Sequence, residues 1–341
     1  MGWLTGWLYR KSHIINAATG AGANYQKQIT VNYGAGADND DDVYCTIGGV
    51  AHCKTDFGDI RFTDDDGNTE LDYWMESKTD SNNAVFWVEV KDSLESNNQT
   101  IYVYYGKADA TTTSSAVNTL VYFHNFEGET VDQPPTKFLS TTSMTIQADT
   151  AEGTRCLRYA VSGNGTFNQM DMADIAGLCI NYKWKNLTPF QSCITIRHTS
   201  DSDTIYIGGV YGNPANYFGI NSESGSNYTA FTYGTGWHDV QVTAYGGAIS
   251  ATIDTTTVNH TTTQLDAKKC SVRDWNSVTA YFDYIRIRKY CSPEPAHSTW
   301  GTEEGNIKKG SSLAATVTQM LNNKILFNFC NRFPKFTPRR F

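Results

Sequence analysis

The sequence predicts an all-β protein: a small β-sandwich, a second and larger sandwich, and a short C-terminal helix and tail. Three observations carry this. Short runs of alternating apolar and polar residues recur along most of the chain, and alternation with period two marks a half-buried strand. The composition is 13% aromatic and 18% charged, with Thr, Asn, Ser and Gly between the apolar runs, which suits pleated surfaces and tight turns. The length, 341 residues, holds two domains of ordinary size and an appendage.

The first unit is expected over residues 1–110. Residues 7–15 open it as a strand and residues 28–32 alternate as a second. Residues 38–42 are an acidic loop, and residues 60–62, 71–76, 84–90 and 100–105 supply further strands. Residues 111–118, rich in Thr, Ser and Ala, lack core-forming content and read as a linker. The second unit, residues 119–304, carries short strands over 193–197, 204–210, 217–220, 237–244, 249–253 and 280–288. Gly and Asn turns at that regular spacing argue a closed or two-sheet body. In the tail, residues 305–341, Ser311 and Ser312 can cap a helix whose Leu313, Val317, Met320, Leu321 and Phe329 form an apolar stripe. Such a stripe must be covered, either by the chain's own sandwiches or by a neighbouring subunit.

The formal net charge of −8 disfavours nucleic acid as a partner, because phosphate neutralisation needs clustered cations. No segment is long and apolar enough to span a bilayer. The first eleven residues lack the apolar core of a signal peptide. Of eight cysteines, none has metal-ligand spacing. Cys45 and Cys53 flank a Gly48-Gly49 turn that would bring their sulfurs opposite, so they are the candidate disulfide, with buried free thiols as the alternative.

Four groups of side chains are candidates for chemistry. Asp64, Asp66, Asn68 and Glu70 offer oxygens like the front of a calcium loop, since hard cations take several carboxylates and carbonyls. The competing reading, which leads, is a solvated hairpin turn at Asp66-Gly67. Glu70, Asp72, Trp74 and Glu76 share one strand face, and paired carboxylates beside an aromatic are what a glycoside hydrolase needs. Tyr211, Asn213, Tyr217, Tyr228 and Tyr233 set aromatic rings beside amides, which suits a sugar's flat apolar face and its hydroxyls. Their alternating positions suit core or sheet surface equally. The histidines show no H-x-x-x-H spacing and no triad arrangement, and no glycine-rich loop opens a helix. Asn98, Asn164, Asn186, Asn227 and Asn259 fit the glycosylation sequon.

Arg61-Phe62, Asp66-Gly67, Tyr73-Trp74, Glu76, Trp87-Val88 and Tyr104-Tyr105-Gly106 fall in an order that resembles an uncharacterised β-domain family of archaeal and bacterial surface proteins. Residues 236–243, 249–254 and the closing run 282–290 resemble a laminin-G-like or concanavalin A-like jelly roll. The two modules often occur together in this order, and residues 292–296 and 301–304 resemble the pairing's usual exit. Calcium in such jelly rolls implies a second cation candidate, Glu127 with Asp283. Jelly-roll glucanases carry a strand resembling residues 70–76, but there the last Glu lies closer, and here the motif sits in the first unit.

The resemblance implies a non-enzymatic, exposed structural or adhesion protein, with glycans or a cell-envelope surface as partner. Lack of an export signal in these residues adds the expectation of a virion component, such as a tail, fibre or decoration protein. The tail would then join it to other copies or to neighbouring subunits. Alternatives are a cell-surface adhesin or filament subunit, and a glycoside hydrolase using Glu70, Asp72 or Glu76. Calcium is the expected cofactor, if any.

Overall fold

The computed structural model describes residues 2–47, 50–160, 167–186, 192–197, 204–209, 217–263, 269–274 and 279–306. The chain divides into residues 1–303, one compact unit, and residues 304–341. The helix expected in the tail, and its expected role between subunits, lie outside the described residues.

The first sandwich is built from β1 (Tyr9–Ile15), β2 (Tyr25–Asn32), β3 (Asp42–Tyr44), β4 (Thr46–Ile47), β5 (Val50–Ala51), β6 (Arg61–Thr63), β7 (Tyr73–Thr79), β8 (Asn83–Val90) and β9 (Gln99–Tyr105). After α1 (Ala116–Thr119), the second has β10 (Tyr122–His124), β11 (Met144–Gln147), β12 (Cys156–Ala160), β13 (Asn168–Gln169), β14 (Leu178–Asn186), β15 (Ser192–Arg197) and β16 (Thr204–Gly209). It continues with β17 (Tyr217–Ser222), β18 (Gly225–Ala230), β19 (His238–Tyr245), β20 (Ala248–Ile253), β21 (Thr256–Thr261), β22 (Lys269–Asp274) and β23 (Thr279–Lys289). Then β24 (His297–Trp300) follows.

One sheet of the first sandwich runs β24-β1-β9-β6 and the other β3-β2-β8-β7. Strict alternation in β8 turns Ala84, Phe86, Val88 and Val90 inward. They meet Ile15, Ile29, Val31, Phe62, Tyr73, Ile101 and Val103 in one core. Each large apolar side chain buried there contributes about 1.5–3 kcal/mol. The second sandwich packs a large sheet, β11-β12-β23-β14-β19-β20-β21 with β10 also on β23, against a smaller one, β13-β22-β15-β16-β17-β18. Between them lie Tyr182, Trp184, Ile194, Ile207, Phe218, Val242, Phe282 and Ile285. The architecture is all-β, a small sandwich followed by a larger two-sheet one, as the alternation predicts; the jelly-roll form of the second is what the resemblance implies.

Two segments depart from the sequence reading. The expected second unit ends at residue 304, but β24 crosses back and pairs antiparallel with β1, His13 opposite Trp300 and Ile15 opposite His297. Cys291 is already buried in the first core. The first sandwich is therefore discontinuous in sequence. Pairing on the edge of β1 satisfies a ladder that the first 110 residues leave open. The expected linker is also fastened. β7 is an edge strand, and there Ser115 N donates to Tyr73 O at 2.9 Å and Met75 N to Ser114 Oγ at 2.7 Å. Ser115 caps α1, its Oγ accepting from Asn118 N. Small hydroxyl residues thus cover the edge, which composition alone reads as slack.

The sandwiches meet through both apolar and polar contacts. Trp74, Ala116 and Leu120 pack with Trp87, Phe123 and Tyr284. Arg288 donates to both oxygens of Glu294 at 2.7 and 2.9 Å, and Tyr25 Oη donates to the same carboxylate at 2.9 Å. Lys27 Nζ donates to Pro295 O at 2.6 Å.

The β4–β5 hairpin brings Cys45 and Cys53 together as expected. They stand there as buried thiols rather than as the expected disulfide, hydrogen-bonded to each other. Burial first, then that contact, pushes the Cys45 thiol well above its ordinary value.

Candidate functional site

The face of the large sheet turned away from the jelly-roll core is the candidate site. In β19 the core takes Val240, Val242 and Ala244, so Asp239, Gln241, Thr243 and Tyr245 point outward. The same parity turns out Asn181 and Lys183 from β14, Ser250 and Thr252 from β20, and Thr257, Asn259 and Thr261 from β21.

Register aligns these side chains in rows across the strands. Arg286 lies opposite Asn181, Asn181 opposite Gln241, Gln241 opposite Thr252, and Thr252 opposite Thr257. One step along, Thr243, Ser250 and Asn259 form the next row. Opposed residues lie about 5 Å apart, so each row is a continuous line of amides and hydroxyls.

Two grooves open on this face. The first, of about 260 Å³, is lined by Asn181, Lys183, Asp239, Gln241, Thr252, Asp254, Tyr284 and Arg286, among others. The second, of about 340 Å³, is lined by Thr243, Tyr245, Ser250, Asn259 and Tyr290, among others. Aromatic rings therefore stand in both. Tyr284 reaches the first because β14 and β23 shift register between Asn181 and Lys183, a bulge that re-aims the bulged strand. Tyr284 has φ 50° there, an uncommon conformation for a residue with a Cβ. Tyr245 is anchored by its hydroxyl, which donates to Thr19 O of the first sandwich at 3.3 Å.

The cations at the first groove are compensated by their own neighbours. Lys183 Nζ lies 2.6 Å from Asp239 Oδ1 and 3.5 Å from Glu152. Burial pulls the Lys183 ammonium down, but the hydrogen bond and charge of Asp239 outweigh it and hold it above its ordinary value. Asp254 pairs with His238 at 2.7 Å, and Arg286 with Glu76 of the first sandwich. Arg286 Nε is buried and has no hydrogen-bond partner among the described residues.

The residues singled out from sequence fall mostly elsewhere. Tyr211 and Asn213 lie outside the described residues. Tyr217 and Tyr228 meet edge-on, centroids 5.3 Å apart, on the smaller sheet, where Tyr228 is exposed. Tyr233 packs against the core, edge-on to Trp184, and its hydroxyl donates to Tyr217 O at 2.6 Å. Burial pushes that phenol up, and the ring is half-buried against the core.

The carboxylates named as calcium candidates accept hydrogen bonds or face cations of the chain itself, as the leading hairpin-turn reading of Asp66-Gly67 has it. Asp66 Oδ1 accepts from Asn68 N and Thr69 N at 2.7 and 2.8 Å, and its Oδ2 from Thr69 Oγ1. That closes the turn, with Gly67 at φ 73°. Asp64 Oδ1 accepts from Asp65 N, Glu70 faces Arg61 at 3.7 Å, and the Asn68 amide lies against Gly2. Glu127 and Asp283 do converge on one loop, but as latches. Glu127 accepts from Thr154 N, Thr154 Oγ1 and Arg155 N, and Asp283 from Thr150 Oγ1, Ala151 N and Glu152 N. Among the described residues, no cluster of three or more His, Cys, Asp or Glu is placed to hold a metal ion.

Glu76 is not paired with Glu70 or Asp72. It accepts from Trp87 Nε1 at 2.7 Å and pairs with Arg286. Neither groove on the large sheet is lined by any of the three.

Asn181, Gln241, Thr252 and Ser250 were not singled out from sequence, and Asn259 only as a glycosylation sequon. The available signal was the identity of the outward residues in the alternating runs: Gln, Thr, Ser and Asn rather than the usual Lys and Glu.

The sequence profile of a domain of unknown function (DUF2341) matches residues 56–137, which run from before β6 to beyond β10. Among solved structures, the catalytic domain of a glycoside hydrolase family 131 protein from Coprinopsis cinerea is similar at 16% identity and TM-score 0.31, over 52% of this chain and 97% of that one. Congerin II liganded with lactose and MES is similar at 15% identity and TM-score 0.26, over 33% and 90%. The N-terminal CBM22 tandem of Paenibacillus barcinonensis Xyn10C is similar at 8% identity and TM-score 0.27, over 84% and 80%. No curated protein sequence matches the chain.

Proposed function

We propose that this chain is a non-enzymatic glycan-binding protein that uses the outer face of the large jelly-roll sheet, and that it is displayed on a virion or cell surface. The observation that supports this best is the pair of aligned rows, Asn181–Gln241–Thr252 and Thr243–Ser250–Asn259, with Tyr284 and Tyr245 beside them. Sugars need amides and hydroxyls for their own hydroxyls and a ring for their apolar face. The displayed setting is proposed from the resemblance of the first 110 residues to β-domains of surface proteins.

The test is a glycan array probed with the full chain and with the Asn181→Ala, Gln241→Ala double variant. Binding that the variant loses at unchanged melting temperature supports the proposal. A blank array, or binding that the variant keeps, removes this face as the site. Release of reducing sugar from a bound glycan would replace the reading with hydrolysis.

A further inference from the structure

Resting on that reading, we infer that the ligand is a neutral, unbranched oligosaccharide lying along the strands and spanning both grooves. The first argument is continuity. Groove one is lined by Asp239 and Gln241 of β19, and groove two by Thr243 and Tyr245 of the same strand. On β20 the order repeats, Thr252 in the first groove and Ser250 in the second. Adjacent outward positions, Gln241 and Thr243 on β19 and Thr252 and Ser250 on β20, thus belong to different grooves. Asp239 to Tyr245 is six residue steps, or about 20 Å at about 3.3 Å per residue. A single terminal sugar fills one groove; a chain of several is needed to touch both rows.

The second argument is charge. Each cation at groove one is paired within the protein, Lys183 with Asp239 and Arg286 with Glu76, and the Asp254 carboxylate beside them adds negative charge. Groove two has no Lys, Arg, Asp or Glu in its lining among the described residues. An anionic glycan would find no uncompensated cation and would approach a chain of net charge −8. A neutral polyol loses nothing to either, and its hydroxyls match the Asn181, Gln241 and Asn259 amides of the two linings. Sulfated or uronate polymers are therefore disfavoured by the same geometry that suits neutral ones.

The experiment is calorimetric titration of the full chain with neutral linear gluco- and manno-oligosaccharides, from disaccharide upward, and with their sulfated counterparts. Affinity should rise about tenfold or more with length until both grooves are filled, then level off, and should not change with added salt. Gln241→Ala in groove one and Asn259→Ala in groove two should each weaken the long ligand about fivefold, the worth of one hydrogen bond. A disaccharide should respond to one of them only. Affinity independent of length, or sulfated ligands preferred with steep salt dependence, overturns this inference and leaves glycan binding standing. No binding by any of these sugars, together with a blank array, overturns both.

Discussion

Lowering the pH should loosen the return of β24 onto the first sandwich. His13 of β1 and His297 of β24 face each other with Nε2 and Nδ1 at 2.8 Å. His13 is fully buried and stacks on Trp300 at 3.8 Å between centroids. Burial, then the facing His297, pulls His13 down from 6.5 to about 3. Burial, then the charge of Lys27, pulls His297 down to about 4, against the pull of Asp40. Both rings are therefore neutral in the folded chain at pH 5, while the unfolded chain takes up protons below about pH 6.5.

Stability is then level above about pH 6.5 and falls as pH drops toward the folded values, at about 1.4 kcal/mol per pH unit per histidine. Between about pH 6.5 and 5 the pair costs about 4 kcal/mol, about 2 for each ring. The assay is urea unfolding at about pH 7 and about pH 5 on the chain and on His297→Gln, which keeps a polar atom but cannot titrate. The variant should lose about 2 kcal/mol less than the parent between the two pH values. An identical loss in both proteins would refute the reasoning, whatever the other titrating groups contribute.

Removing the carboxylate that joins the sandwiches should also be costly. Glu294→Ala leaves the Arg288 guanidinium, 14% exposed, without its bidentate partner and Tyr25 Oη without its acceptor. The expected loss is about 3 kcal/mol by chemical denaturation, and a loss below about 1 kcal/mol, the worth of an exposed pair, would show that the latch is idle. EDTA should leave the melting temperature unchanged, because the oxygens of Asp66, Glu127 and Asp283 already accept hydrogen bonds from the chain. A melting temperature that rises with added calcium would contradict that account.

Much of the strand pattern was legible because period-two burial is written into each strand separately. The 84–90 run gave β8 within a residue, and the 280–288 run gave β23. Strands with weak alternation, such as β18, exposed along almost its whole length, carry no such signal. The candidate tyrosines and carboxylates were chosen by residue type and spacing. Those cues cannot tell Tyr233 packed on Trp184 from a tyrosine facing solvent, nor a carboxylate that closes a turn from one that awaits an ion.

What the sequence by itself determined is the β class, the tandem of two sandwiches, the Asp66-Gly67 turn and the neighbourhood of Cys45 and Cys53. Each depends on residues close together in the chain. Tertiary structure alone decided that residues 297–300 complete the first sandwich, that Glu76 pairs with Arg286 across the junction, and that Asn181, Gln241, Thr252 and Thr257 share one row. These pairings join strands far apart in sequence. Register between such strands is set by the packing of the whole core, which no local pattern records.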